Sequence, residues 1–190
     1  VYGVKEEIPV LLSDQQKYII SVLRQIKYIR ARQLHAMTAQ HYRTEGIDIS
    51  QARMDAMLRQ LRAMSSFVRF QGDVVCYGER TVDPRYLEAI DVMLELTRCA
   101  PKFYSAERLE KPFLLRFTGG SENALYLFSV AWMGVPRCIA RTQRMKGERI
   151  IWIADRLDRR GLMLPRHHIF AARQEDGNHR FFGSQEPKKI

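Results

Sequence analysis

The feature that most constrains the fold of this chain is a run of three amphipathic segments followed at once by two short β-prone runs. The first helix is predicted over residues 14–27, where Ser13 has the position of an N-cap and apolar residues recur at helical spacing. A second helix is predicted over 31–42 and a third over 50–64. The third helix carries one apolar stripe, which consists of Met54, Met57, Leu58, Leu61 and Met64.

The two β-prone runs, 67–70 and 74–77, are separated by a connection of hairpin length that contains a glycine. Residues 28–29, between the first two helices, are expected to form only a short apolar link. Three helices followed by a β-hairpin is the order of a winged helix-turn-helix, which binds duplex DNA. We therefore predict such a DNA-binding domain over residues 1–80.

A further helix is predicted directly after the hairpin. Asp83 has the position of an N-cap and Pro84 that of the first helical residue, so the helix is expected over 84–98. It is assigned to a linker helix region over 81–111, and it could equally open the second domain.

From residue 112 onward, strands and helices alternate. The predicted strands are 113–118, 124–132, 148–154, 168–173 and 180–182, and the predicted helices are 135–145 and 157–162. This pattern predicts a small α/β domain with a mixed sheet over 112–184, followed by a frayed tail at 185–190. The fold class is therefore α+β, with an N-terminal winged helix-turn-helix.

Net charge points to a polyanionic partner. The chain of 190 residues has 31 basic and 21 acidic side chains and a net charge of +10. In a helix-turn-helix the third helix enters the major groove, where glutamine pairs with adenine and arginine with guanine. Gln51 and Arg53 are predicted to meet base edges, and Arg59 and Arg62 to meet phosphates. The remaining candidate DNA contacts are Arg30, Arg32, Arg43 and Arg69.

The alternative is that these arginines belong to an ordinary solvated helix face and contact no nucleic acid. A second basic surface is predicted on the helix over 135–145, where Arg137, Arg141 and Arg144 share one side. That surface could be solvated, could contact phosphate, or could bind an acidic partner.

The sequence contains no strong motif that is typical of an enzyme. A metal-dependent nuclease needs clustered carboxylates with a nearby lysine, yet the strand over 124–132 contains no acidic residue. Asp155 and Asp158 are interrupted by arginines, and Glu107 and Glu110 lack the required spacing. The five histidines are expected at surfaces or strand edges, with His179 in a turn. We therefore expect no enzymatic activity, no catalytic residue, no metal, no cofactor and no small-molecule substrate.

The expected location is the cytoplasm. No apolar run of about 18 residues is present, so no membrane span or membrane partner is expected. The charged residues within 1–12 are wrong for a secretory signal. Three widely spaced cysteines are typical of reduced, mostly buried thiols. The start at Val1 rather than methionine is compatible with a missing N-terminal piece.

With both halves laid out, the chain resembles the replication-relaxation family and related proteins of plasmids and conjugative elements. The stretches that carry the resemblance are Ser13-Asp14-Gln15-Gln16, Tyr28-Ile29-Arg30, Gln33-Leu34, Met57-Leu58-Arg59-Gln60-Leu61 and the strand-rich half over 112–182. The resemblance implies a winged helix joined to a degenerate endonuclease-like sheet, with a role in plasmid replication, DNA relaxation or mobilisation. It supplies no catalytic residues.

The expected function is therefore that of a DNA-binding accessory or regulatory protein of a mobile genetic element, with transcription control included. Double-stranded DNA is the expected partner. One small module binds DNA weakly at physiological salt, so a homodimer is expected if the protein is an operator-reading regulator; a different protein partner is the alternative. The alternatives are a metal-dependent nuclease with an endonuclease-like C-terminal domain and a protein-interaction module that uses the winged helix.

Overall fold

The structure, a computed structural model, describes residues 12–107, 109–121, 124–133, 142, 145–154 and 168–183. The chain divides into two compact units, Val1–Arg80 (unit 1) and Thr81–Ile190 (unit 2). Within the described residues the protein is α+β, with four helices, a three-stranded sheet in unit 1 and a mixed six-stranded sheet in unit 2. None of the described helices has the length and apolar character that crossing a membrane requires.

Unit 1 contains three helices, α1 (Asp14–Ile26), α2 (Ala31–Arg43) and α3 (Gln51–Met64), which confirms all three predicted helices. Local hydrogen bonds explain where α1 begins. The Ser13 hydroxyl accepts from the Gln16 backbone N–H at 3.2 Å, and the Gln16 side chain accepts from the Ser13 N–H at 3.0 Å. This reciprocal pair satisfies two backbone donors that the first helical turn leaves open.

The sheet of unit 1 contains β1 (Tyr28–Arg30), β2 (Val68–Gln71) and β3 (Val74–Tyr77), in the order β1-β3-β2 with antiparallel neighbours. The hairpin of β2 and β3 was predicted. The expectation of a mere link at residues 28–29 was wrong. Three residues are too few to show strand alternation, and β1 exists because it pairs with β3, which is distant in sequence.

The core of unit 1 is formed by the apolar faces of its helices and sheet. Its fully buried side chains include Ile19, Leu23, Ile26, Ile29, Leu34, Met37, Met54, Leu61 and Val75. Each such side chain contributes about 1.5–3 kcal/mol through its removal from water. Met64, which the sequence placed in the stripe, is 40% exposed, because the buried face of α3 ends at Leu61.

Unit 2 begins with α4 (Pro84–Thr97), which confirms the predicted helix; the Asp83 carboxylate accepts from the Arg85 N–H at 2.9 Å. Six strands follow and lie in sequence order across one sheet. They are β4 (Phe103–Ser105), β5 (Phe113–Ser121), β6 (Ala124–Trp132), β7 (Glu148–Ala154), β8 (His168–Arg173) and β9 (His179–Gly183). Strands β6, β7 and β8 are parallel, and the other neighbours are antiparallel. The region 81–111 thus supplies a helix that packs on β5 and an edge strand of the sheet.

Strand β5 is longer than predicted. It continues through Gly119 and Gly120 to Ser121, because its ladder with β6 is unbroken there. Gly119 also has a packing reason to lack a side chain, since a Cβ atom at this position would lie 3.1 Å from Cγ2 of Thr97 in α4. The predicted helices over 135–145 and 157–162 lie outside the described residues.

Two histidines expected at the surface are buried in unit 2, so that prediction was wrong for them. His168 accepts a hydrogen bond at Nδ1 from the Trp152 indole N–H at 3.1 Å. His179 begins β9 rather than occupying a turn, and its ring lies 2.8 Å from a Glu95 oxygen and 3.1 Å from a Glu88 oxygen of α4. Burial alone would lower the pKa of His179, but the hydrogen bonds and charges of the two glutamates outweigh it and raise the pKa to about 9.

The cysteines follow the expectation of free thiols where the structure describes them. Cys76 is buried in β3, Cys99 is partly buried after α4, and both are free. Burial raises the pKa of both thiols, so neither is activated as a nucleophile. Cys138 lies outside the described residues.

Candidate nucleic-acid interface

The candidate interface is centred on the solvent-exposed side of α3. Met54, Met57, Leu58 and Leu61 point into the core of unit 1. Ser50 caps the helix by accepting from the Arg53 N–H at 3.3 Å, which fixes the start of the exposed side. Successive residues of a helix are rotated by 100°, so the exposed residues of α3 can be assigned to two edges and to a strip between them.

One edge, which we call the hairpin-side row, consists of Gln51, Asp55, Arg59 and Arg62. These positions are separated by four, four and three residues, so they follow one side of the helix. The Gln51 amide donates to an Asp55 carboxylate oxygen at 2.8 Å. The Cζ atom of Arg62 lies 5.6 Å from the centre of the Phe70 ring in β2, so this row faces the hairpin.

The other edge carries Arg53 and Gln60, which are seven residues apart. The Gln60 side chain accepts from the Gln16 amide at 2.9 Å, so this edge faces α1. Gln51 and Arg53, predicted together as base-reading residues, therefore lie on opposite edges of α3. Both side chains are exposed, but the structure does not bring them together.

The strip between the two edges contains Ala52, Ala56 and Ala63, none of which is buried. A methyl group is the smallest side chain other than hydrogen, so the strip lets the helix backbone approach a flat or grooved partner closely. Alanine methyls also suit contact with the methyl group of thymine.

Two of the predicted contact arginines are engaged in ion pairs within unit 1. Arg30 lies 3.9 Å from a carboxylate oxygen of Asp73, and Arg69 lies 2.5 Å from one of Glu79. The Arg69–Glu79 pair is solvent-exposed on both sides and contributes at most about 1 kcal/mol, so a phosphate could compete for Arg69. The Arg30 side chain is largely buried, so it is less available to a partner.

Arg32 and Arg43 of α2 are exposed, as predicted for surface contacts. The hairpin has a two-residue tip, Gly72 and Asp73, in which Gly72 adopts a φ of 61°. This tip presents a carboxylate rather than a cation. The positive charge of the candidate interface is therefore on the helices and on the hairpin strand, not on the hairpin tip.

The sequence did not predict two side-chain contacts near α3. The His35 ring donates from Nε2 to the Ile49 carbonyl at 2.7 Å, which fixes the turn before α3. Phe67 is 59% exposed and stacks on Tyr77, whose hydroxyl accepts from Arg24 at 3.2 Å. No local pattern reveals either contact, because each joins residues from separate elements.

Of the carboxylates considered for a nuclease, the structure describes only those that precede β5. Glu107 and Glu110 are exposed, and Asp155 and Asp158 lie outside the described residues. Across the part of the chain that the structure describes, no three histidine, cysteine or acidic residues are placed to hold a metal ion. Arg137, Arg141 and Arg144, the predicted second basic surface, also lie outside the described residues.

Glu148, which the sequence did not single out, is the buried carboxylate of the sheet, with 1% of its surface exposed. It accepts from the Ser129 hydroxyl, from Arg116 at 3.4 Å and from the Met145 N–H at 2.6 Å. Arg116 also donates to Ser129 at 3.0 Å. These internal partners give Glu148 a structural role that joins β5, β6 and β7.

Comparison with known proteins does not assign the chain to a family. No family model matches the chain, and no curated protein is detectably similar to it.

Proposed function

We propose that unit 1 is a winged helix-turn-helix that binds duplex DNA with α3 in the major groove. The observation that carries this proposal is the pairing of β1 with β3, which gives the order helix, strand, helix, helix, hairpin around one core. In that arrangement α2 and α3 form the helix-turn-helix, and the hairpin is the wing. The exposed side of α3 is then the surface that meets the bases.

The chemistry of α3 supports the same partner. In the described part of the chain, the guanidinium groups of Arg53 and Arg59 make no hydrogen bond or ion pair. Arginine presents a planar set of donors that fits phosphate oxygens and the guanine edge. The stacked Arg62 is held beside the wing, where it would meet the DNA backbone.

We also propose that the protein is an accessory or regulatory factor of a mobile genetic element, acting in replication, relaxation, mobilisation or transcription control. The support for this role is the resemblance of the sequence to proteins of plasmids and conjugative elements, together with its net charge of +10. Unit 2 then serves as a partner domain, and a homodimer would supply the affinity that one module lacks.

Titration of a labelled random-sequence duplex against the full chain at several salt concentrations tests the DNA-binding proposal. Neutralising about five phosphates gives a log–log slope near −4 to −5, because each contact releases condensed counterions. Arg59→Ala combined with Arg62→Ala should weaken binding to every sequence and make the slope shallower by about 2.

The matched control removes two exposed charges from unit 2, with Lys102→Ala and Lys111→Ala, which lie away from the predicted second basic surface in sequence. It should leave the salt slope close to that of the wild type. Absence of binding at low salt, indifference to salt, or equal effects of the two double variants would contradict the proposed function.

A further inference from the structure

Asp55 is the unexpected member of the hairpin-side row. A carboxylate on a surface that approaches phosphates is repelled by them, and it raises affinity only if a donor faces it. Asp55 is partly exposed, and Gln51 donates to one of its oxygens at 2.8 Å. An ionised carboxylate has about four lone-pair positions, so Asp55 keeps most of its accepting capacity for a partner.

The major groove offers few groups that such a carboxylate can accept from. The exocyclic amines of adenine and cytosine are donors, whereas guanine and thymine present oxygen and nitrogen acceptors there. A carboxylate facing guanine or thymine meets like partial charges and loses its water without replacement. Each base pair carries its amine on one strand only, so a carboxylate distinguishes the orientation of the pair.

Resting on the proposed function, we infer that Asp55 is a specificity-determining residue that requires an adenine or cytosine at the base facing it and rejects guanine and thymine. Gln51 is the second part of this device. With one N–H given to Asp55, its amide retains an oxygen and a second N–H on a fixed plane. The oxygen can accept from the N6 amine of adenine, and the N–H can donate to its N7. The two side chains thus read adjacent positions as a unit.

Selection of bound duplexes from a random pool tests this inference, with the full chain as wild type, Asp55→Asn and Asp14→Asn. Asp55→Asn removes the charge and adds an amide donor, so guanine and thymine become acceptable at one position. Discrimination there should fall by about tenfold or more. Asp14 is exposed in α1, where it pairs with Lys17 at 2.9 Å, so Asp14→Asn changes net charge equally and should leave the selected sequence unchanged.

A second variant separates the two contributions of Asp55. Asp55→Ala removes both the charge and the acceptor for Gln51, so it should also weaken the adenine preference at the neighbouring position. Melting curves followed by circular dichroism show whether each variant is folded at the temperature of the selection.

The outcomes are distinguishable. Wild-type binding with a sequence preference that both Asp55 variants retain would overturn the inference and leave the proposed function standing. Wild-type binding without any sequence preference would do the same. Failure of the wild type to bind duplex DNA would overturn the proposed function, and the inference would fall with it.

Discussion

At the scale of the residue, the contact between His179 and two glutamates of α4 is a charged link inside unit 2. The ring is fully buried, and both of its nitrogen atoms face carboxylates. The protonated ring donates to both partners, so it is the form that the folded state favours. Arg173, at the end of β8, lies 4.0 Å from Glu88 and adds a second cation to the same acidic pair.

This link predicts a pH dependence of stability. The folded pKa of His179 is about 9, above its ordinary value of 6.5, so its contribution is fully present below pH 6.5 and is lost as pH rises through 9. The contribution is on the order of 3 kcal/mol. Chemical denaturation of the wild type and of His179→Gln at pH values from 6 to 10 measures it.

The difference in unfolding free energy between the two proteins should be largest at pH 6 and should shrink toward pH 10. His41→Gln is the control, because His41 is exposed in α2 and stacks on Tyr18. Parallel stability curves for wild type and His179→Gln over this range would contradict the assigned link.

Single residues also show what the sequence could reveal about the candidate interface. Residue type and helical position identified Gln51, Arg59 and Arg62 as exposed groups on α3. The separation of Arg53 from Gln51 also follows from helical geometry, but only once the buried side of α3 and its neighbours are known. The pairing of Arg69 with Glu79 joins residues across the hairpin, so no helical spacing rule supplies it. The hydrogen bond between Gln51 and Asp55 does follow from i,i+4 spacing on α3, although it was not predicted.

At the scale of the element, local signals predicted the four described helices. Each of α1, α3 and α4 begins with a side-chain cap that lies within three residues of its partner, and each has an apolar side at helical spacing. Strands β1 and β4 were missed, because three residues carry no measurable alternation. The extension of β5 through two glycines was missed too, because it depends on pairing with β6 rather than on its own sequence.

The capping box at the start of α1 gives a prediction at this scale. Ser13→Ala removes the acceptor for the Gln16 N–H and should destabilise the protein by about 1 kcal/mol. Denaturant unfolding followed by far-ultraviolet circular dichroism measures the change. Ser21→Ala is the matched control, since that hydroxyl donates to the Tyr18 carbonyl within α1 and caps nothing.

The control should be close to neutral, because alanine favours the helix and the lost bond is exposed. Equal unfolding midpoints for Ser13→Ala and the wild type would show that the reciprocal hydrogen bonds do not determine where α1 begins.

At the scale of the whole molecule, positive charge is distributed rather than concentrated. The residues up to Arg80 include 12 basic and 8 acidic side chains, so unit 2 holds the larger share of the net charge of +10. A field of this kind attracts a polyanion to either unit, and among the described helices α3 has the exposed side that suits a groove. If the protein binds duplex DNA as proposed, charge should account for association and α3 for recognition.

We propose that duplex DNA binds at α3 and the adjacent hairpin. The most direct measurement is amide chemical-shift mapping of the full isotope-labelled chain as a duplex of selected sequence is added. DNA bound at this surface should cause the largest shifts in Gln51–Met64 and in strands β2 and β3. Shifts confined to unit 2 would contradict it, as would shifts on the face of α1 that includes Lys17 and Ser21 with none on α3.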